Sequence, residues 1–337
     1  MNAHHPTALA RALEDFFGNY LPTLRAVSPH TIRSYRDSLV LLLRFVIAHA
    51  GVPLGAIDLP HVTASRVLAF LASVEDRRRC TSTTRNVRLA AIHAFFRYLG
   101  AAHPEYLPQC QRILAVPFKR AQTRTIDYLE YEEIAQILAS IDQTTLRGER
   151  DYALLATLFN TGARVQELLN VRVRDLQLDK PFQVRLLGKG RKERSCPLWP
   201  QTASMLHRFV SHRGVELGSE EFLFLNRAGQ ALTRFGVRYL FKKYLRVAQV
   251  RIPALAGKHL HPHSIRHSTA VALLKAGVDL TTIGQWLGHA SPETTNKYAS
   301  IDLDLKRKAL ARLKPPSTPG RRSWTRDSDI LTWLEGL

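Results

Sequence analysis

Hydrophobic residues in this chain recur mostly at steps of three and four, the spacing that lines them along one side of a helix. Leu9, Leu13, Phe16 and Phe17 predict a helix over 8–20, broken by Gly18 and Pro22. Ser28 reads as a cap and Pro29 as a first helical position, followed by Ile32, Tyr35, Leu39, Leu42, Leu43 and Val46 until Gly51 ends the row. A third helix is expected over 61–74 with Val67, Leu68 and Leu71 inward. A fourth starts at Thr81 or Ser82, carries Val87, Ala91, Ile92, Phe95, Phe96 and Leu99, and stops at Gly100. The first hundred residues therefore read as an all-α helical bundle.

The helical period is lost over 101–124, where Pro104, Pro108 and Pro117 accompany Lys119, Arg120 and Arg124, and this stretch reads as a basic linker. Helices resume over 130–140, 150–160 and 165–169, the second broken by Gly162. Residues 182–198 change to alternation, Val184 and Leu186 leading into Gly188-Lys189-Gly190 and a polar return strand: a small β-hairpin with Lys189 at its tip. Further helices are expected over 201–213, 233–247, 263–276 and 281–287, then one capped by Ser291 with Pro292 at its first position and Tyr298 at its end. The fold class is mainly α with one small β-sheet, in two domains: the bundle over 1–100 and a mixed α/β domain over 125–313. Residues 314–337 form a Pro-rich spacer and a short apolar segment, 329–337, too short to be a stable helix alone. It can dock on its own domain, pack into a neighbouring protomer, or remain a disordered tail.

Charge narrows the partner. The chain carries 48 Lys and Arg against 28 Asp and Glu, a net charge of +20. Residues 1–119 hold 14 basic and 7 acidic side chains, so the excess is not confined to one domain. Such a surface attracts polyanions, and nucleic acid is the expected partner, with an anionic membrane as the rival. No apolar run long enough to span a membrane, secretory signal or lipidation box is found, so no membrane partner is expected. Cys80, Cys110 and Cys196 imply neither a disulfide framework nor a metal knuckle, which points to a reducing, cytoplasmic setting. Candidate contacts to nucleic acid are Arg33, Arg36, Arg85, Arg88 and Arg97 on the bundle's helices and the Arg77-Arg78-Arg79 triplet in a loop. Lys119 and Arg120 in the linker join them, with the row Arg234, Arg238, Lys242, Lys243 and Arg246 on one later helix. Each taken singly is equally a solvated helix charge.

Candidate chemistry concentrates in 258–299. His263 and Arg266, three apart near a helix start, put an imidazole and a guanidinium on one face suited to an anion. His289 follows Gly288 on a tight turn, and Tyr298 lies nine residues on. Upstream, Arg164 is boxed between Gly162 and an apolar helix, with Glu167 three residues later to orient it. His259, His261, His263 and His267 raise the question of zinc. Neither cysteine nor carboxylate accompanies them, however, and no metal is expected. His267 is read as pointing away from the His263 face, and Tyr239 and Tyr244 as core residues of their helix.

The motifs H-x-x-R at His263 and Arg266, L-G-H at 287–289 and the following Tyr298 resemble the tyrosine recombinase (phage integrase) family. Thr161-Gly162-Ala163-Arg164-Val165-Gln166-Glu167-Leu168-Leu169 is similar to its first arginine box, and 188–194, GKGRKER, to its lysine hairpin; the match runs over 125–313. The resemblance implies a core-DNA-binding bundle followed by a catalytic domain, clamped about a duplex across the basic linker. It also implies a site-specific recombinase or integrase, acting as a tetramer on two duplexes, alone or with a related recombinase.

The chemistry fits the residues. Arg164 and Arg266 would neutralise the non-bridging oxygens of a phosphodiester, and His289 would add a donor. Tyr298 would be the nucleophile, with His263 as its proton partner. Lys189, with Lys192 as the second choice, would protonate the departing 5′-oxygen. The family's 3′-phosphotyrosyl intermediate keeps the bond energy, so rejoining needs neither ATP nor a metal cofactor. Two alternatives stay open: type IB topoisomerase-like strand relaxation and a non-catalytic DNA-binding relative.

Overall fold

The structure is a computed structural model that describes residues 6–120, 126–188, 190, 192–289 and 291–299. The chain divides into two compact units, Met1–Arg124 and Thr125–Leu337. Lys189, Arg191 and the tail over 314–337 lie outside the described residues.

The first unit is helical throughout: α1 (Ala8–Asp15), α2 (Pro29–Ala50), α3 (Ala64–Arg78), α4 (Ser82–Ala102) and α5 (Leu107–Leu114). Hydroxyl caps start four of them. Thr7, Ser28, Thr63 and Thr81 each accept a hydrogen bond from a free N–H of the first turn. Gly51 ends α2 in the left-handed region at φ 63°. Leu42, Val46, Val67, Leu71, Ile92, Phe95, Phe96 and Leu99 form the middle of the core.

Three expectations fail here for physical reasons. Gly18 and Pro22 do not break the first helix, which widens into a π-helix over Phe16–Leu24, with Arg25 N–H donating to Tyr20 O at 2.9 Å. The wider turn accepts a proline that has no N–H to offer. Gly100 does not end α4; it lies inside the helix where α5 comes close, and a Cβ there would lie 3.3 Å from Cys110 Cβ. The linker reading of 101–124 misses α5, whose Cys110 and Ile113 are fully buried; its short apolar stretch, 107–114, is not enough to show a period. Two side chains expected inward, Leu68 and Val87, face solvent at 47% and 51% exposure.

Of the candidate nucleic-acid contacts in this unit, Arg85 must be withdrawn. It is 4% exposed and donates to Asn86 Oδ1 and Pro117 O, so it straps the following chain onto α4. Asn86 completes the strap by bonding the backbone of Lys119 in both directions. Lys119 itself pairs with Glu75 at 2.7 Å. Arg88 is half-buried, whereas Arg33, Arg36, Arg79, Arg97 and Arg120 are exposed.

The second unit holds α6 (Tyr131–Ala139), α7 (Leu146–Thr161), α8 (Val165–Leu169), α9 (Pro200–His212), α10 (Arg234–Arg251), α11 (Pro262–Lys275), α12 (Leu280–Leu287) and α13 (Pro292–Ala299). Between α8 and α9 lies an antiparallel sheet of β1 (Leu176–Gln177), β2 (Gln183–Leu187) and β3 (Glu193–Pro197), in that order. The hairpin is as expected. The added strand β1, two residues long, offers no alternation to read.

α7 is the central helix, buried on nearly every side from Ala153 to Thr161. The sheet closes the core with Val184, Leu186 and Cys196. Burial pushes the Cys196 thiol up to about 12, so it is an inert core residue. On α10, Val237, Leu240, Phe241, Tyr244 and Leu245 turn inward, and Arg234, Arg238, Lys242, Lys243 and Arg246 stay on the open face. Tyr244 is a core residue, donating to Asp151 Oδ2 at 2.8 Å. Tyr239 is not: it is 70% exposed among those cations. Among the described residues no helix is long and apolar enough to cross a membrane.

Candidate active site

The site is built from the ends of helices in the second unit. α7 stops at Gly162, whose φ of 58° and whose neighbour Leu287, 2.5 Å from where a Cβ would be, leave room only for glycine. The turn places Arg164 at the N-cap of α8, and that short helix brings Glu167 back beneath it. Glu167 Oε2 accepts from Arg164 N–H at 3.0 Å and Oε1 from the Arg164 guanidinium at 2.6 Å. A third donor arrives from β3: Arg194 Nη2 reaches Glu167 Oε2 at 2.8 Å. Burial alone would raise the Glu167 pKa, but the hydrogen bonds from Arg194 and Arg164 outweigh it and hold the carboxyl below its ordinary value.

α11 supplies the second arginine. Arg266 is 2% exposed and donates to Gly162 O and Leu287 O, both at 2.7 Å, tying the end of α7 to the end of α12. Burial, aided by Arg164, lowers its pKa to about 10, so it remains charged at neutral pH. α12 closes at Gly288 in the left-handed region, φ 66°, and the next residue is His289. The His289 N–H bonds Gly284 O at 2.9 Å, and its Nδ1 lies 2.7 Å from Thr295 Oγ1 on α13.

Tyr298, at the end of α13, is 2% exposed, its ring parallel to that of His289 with centroids 6.4 Å apart. Its hydroxyl lies 2.8 Å from His267 Nδ1. This corrects the expectation that His267 faces away. Residues 263 and 267 are four apart and share a helix face, and their rings meet edge to face at 4.7 Å. Burial raises the Tyr298 pKa, and the Arg266 charge pulls it partly back.

The structure thus gathers Arg164, Glu167, His263, Arg266, His289 and Tyr298 around the end of α12. Lys189 falls outside the described residues, although the hairpin root is defined by Gly188 N–H donating to Lys192 O at 2.8 Å. Three residues were missed in the sequence: His267, Arg194 and Thr295. Arg194 did leave a signal, because it pairs with the buried Leu186 and alternates with the buried Cys196, which makes it a charge on the inward parity of a strand.

Residues 127–303 match the Phage integrase family, and residues 14–103 match the phage integrase N-terminal SAM-like domain. The chain belongs to the phage integrase family. A Sinorhizobium fredii chain described as a candidate integrase/recombinase, y4rC, is 37% identical over 330 residues, 98% of each chain. The tyrosine recombinase XerC of Pelobacter propionicus is 32% identical, covering 86% of this chain and 90% of its own. In fold the chain is similar to the XerH site-specific recombinase in its post-cleavage complex with a palindromic difH substrate, with a TM-score of 0.67 at 19% identity over 92% and 90% of the two chains. As a member of the family this protein is a site-specific recombinase of the tyrosine type.

In this phage integrase the site histidines are held neutral. Burial first, then neighbouring charge, lowers His263 and His289 to about 4 and His267 to about 3. In the unfolded chain a histidine protonates below about pH 6.5. The unfolded state therefore takes up more protons between these values, so this stability is complete above about pH 6.5 and is lost as pH falls toward 4. The melting temperature should drop over that window, and a flat profile there would refute neutral rings.

Thr295 gives a second prediction. It is 2% exposed, and Thr295→Val keeps its shape while removing the hydroxyl that bonds His289 Nδ1. Loss of one such bond, about 1–1.5 kcal/mol, should slow strand cleavage roughly 10-fold with little change in DNA affinity. Single-turnover kinetics of the variant would decide it; an unchanged rate removes Thr295 from the site's support.

Proposed function

We propose that this recombinase cleaves and rejoins double-stranded DNA through a covalent 3′-phosphotyrosyl intermediate on Tyr298. The observation that carries the reading is the convergence of Tyr298, two arginines and a histidine turn at the end of α12, where Leu287 O accepts from the Arg266 guanidinium and Gly288 O from that of Arg164. A phosphodiester repels an incoming phenolate until its non-bridging oxygens are neutralised. Arg164, partly open to solvent, and the buried Arg266 supply that charge, and neutral His289 donates through the nitrogen that Thr295 leaves free. The Tyr298 proton leaves through the imidazole pair, from His267 at the hydroxyl toward His263 at the solvent edge.

The phenolate forms a bond to phosphorus as the P–O5′ bond breaks, and Lys189 protonates the departing oxygen. Attack by a 5′-hydroxyl reverses the step, so no ATP and no metal are consumed. Exposed cations Arg234, Arg238, Lys242 and Lys243 on α10, with Arg79 and Arg120 of the first unit, serve as phosphate contacts that hold register. Exchange requires two synapsed duplexes and hence a tetramer, formed by this chain alone or with a related recombinase.

The test is covalent trapping. A duplex carrying the recombination site, nicked beside the scissile phosphate so that the cleaved fragment diffuses away, should yield an adduct stable to denaturation. It should map to Tyr298, with a free 5′-hydroxyl on the released strand. An adduct on another residue, or a 5′-linked one, would overturn the assignment.

A further inference from the structure

Three guanidiniums from three separate elements grip three successive carbonyls. Arg194 Nε donates to Trp286 O at 3.0 Å, Arg266 Nη2 to Leu287 O at 2.7 Å, and Arg164 reaches Gly288 O at 3.4–3.5 Å. These are the last carbonyls of α12 and its cap, groups with no partner inside the helix and at the negative end of its dipole. The three grips are not equal. Arg266 is buried, the Arg194 side chain is 13% exposed and the Arg164 side chain 37%, and only Arg164 holds its carbonyl at a stretched distance.

Arg194 is the one of the three without a part in the reaction proposed above, and it is the one with two short bonds to the others' supports. One edge of its guanidinium holds Trp286 O, and Nη2 holds the Glu167 carboxylate that also orients Arg164. The packing is tight at Gly288, where a Cβ would lie 3.0 Å from Arg194 Nη1; one on Gly188, at the hairpin root, would make ordinary contact with the same atom at 3.5 Å.

We propose that Arg194 is a positioning residue for strand cleavage, fixing the Arg164–Glu167 pair and the turn that presents His289 in one frame. It touches neither the phosphate nor the nucleophile. Arg164 can leave its stretched contact for a phosphate oxygen because Arg194 and Arg266 keep the helix end in place. Arginine is required, since a lysine ammonium has no planar edge with which to hold a carbonyl and a carboxylate in fixed relation. The proposal rests on the reading of Arg164 and His289 as donors to the non-bridging phosphate oxygens.

The experiment uses the full chain and the nicked duplex, with either an ordinary scissile phosphate or a methylphosphonate there. The methylphosphonate has one charged oxygen replaced by methyl and so needs less neutralisation. On phosphate, Arg194→Ala should form adduct roughly 100-fold more slowly, the scale of one misplaced donor. DNA affinity and its salt slope should stay within about 3-fold of the parent protein. On methylphosphonate, the deficit of Arg194→Ala should shrink to roughly 10-fold or less, as should that of Arg164→Ala.

If Arg164→Ala gains nothing from the neutral linkage, the phosphate-clamp reading itself fails. If Arg164→Ala gains and Arg194→Ala does not, the clamp reading stands and the Arg194 proposal falls. Should Arg194→Ala fail to melt cooperatively, Arg194→Lys is the deciding variant: a parent-like melting curve with slow cleavage and the same selective gain supports the proposal. A full parental rate in Arg194→Lys overturns it.

Discussion

Tyr298→Phe is expected to abolish the covalent adduct, a loss of roughly 10⁴-fold or more, while binding DNA as the parent chain does. The ring explains why binding should survive. Tyr298 is packed with Ala270, Val271, Leu274, Ile283 and Leu287, an apolar pocket that phenylalanine fills equally well. What is lost is the hydroxyl and its bond to His267 Nδ1. A bond of that kind contributes about 1 kcal/mol to stability, too little to unfold α13. The phosphate contacts proposed above lie on other elements, so the slope of log affinity against log salt should be the same in both proteins. The measurements are adduct formation on a nicked duplex and a salt titration of binding. An adduct that persists in the variant would move the nucleophile to another residue, and a collapse of binding would make Tyr298 a structural residue instead.

Much of this site was open to reading because its residues are bound to local patterns. Gly162 before Arg164, Gly288 before His289 and Pro292 before Tyr298 each mark a helix end, and helix ends are where a side chain can be aimed without a helical stripe around it. The parts that escaped are those set by packing between distant segments. His267 needed only its four-residue spacing from His263, but that Tyr298 comes to rest on it depends on how α13 folds over α11. Arg85 looks like any exposed helix cation until the chain over 117–119 closes on it. α5 and the two-residue β1 are simply too short for a period to emerge, and the π-helix at Pro22 keeps a helix going where the proline rule ends it. On α10, Tyr239 reads as a core residue because its helix is amphipathic; its ring is on the charged face instead.

Arg266→Lys should lower cleavage by roughly 10²–10³-fold, a smaller loss than that of the Tyr298 hydroxyl, and also destabilise the second unit. Arg266 bridges Gly162 O and Leu287 O across its guanidinium, the first carbonyl lying 104 positions before its donor in the chain. A lysine reaches one of the two, and the carbonyl left without a partner in that buried place costs about 1–3 kcal/mol. Charge fails as well as geometry. Burial and the nearby Arg164 already bring the arginine down to about 10 from its ordinary 12.5. The same forces act on an ammonium that starts about two units lower, so lysine here approaches loss of its proton in the mildly alkaline range. In the parent protein Arg266, at about 10, stays mostly charged across that range. Residual cleavage by Arg266→Lys should therefore rise as pH is lowered from 9 toward 7, a trend that neutralisation by Arg266 does not impose on the parent. Single-turnover adduct formation across that range, beside thermal unfolding, separates the two effects. A variant that melts early but cleaves at the parental rate would leave Arg266 as a brace for α7 and α12 alone and shift the phosphate charge to Arg164.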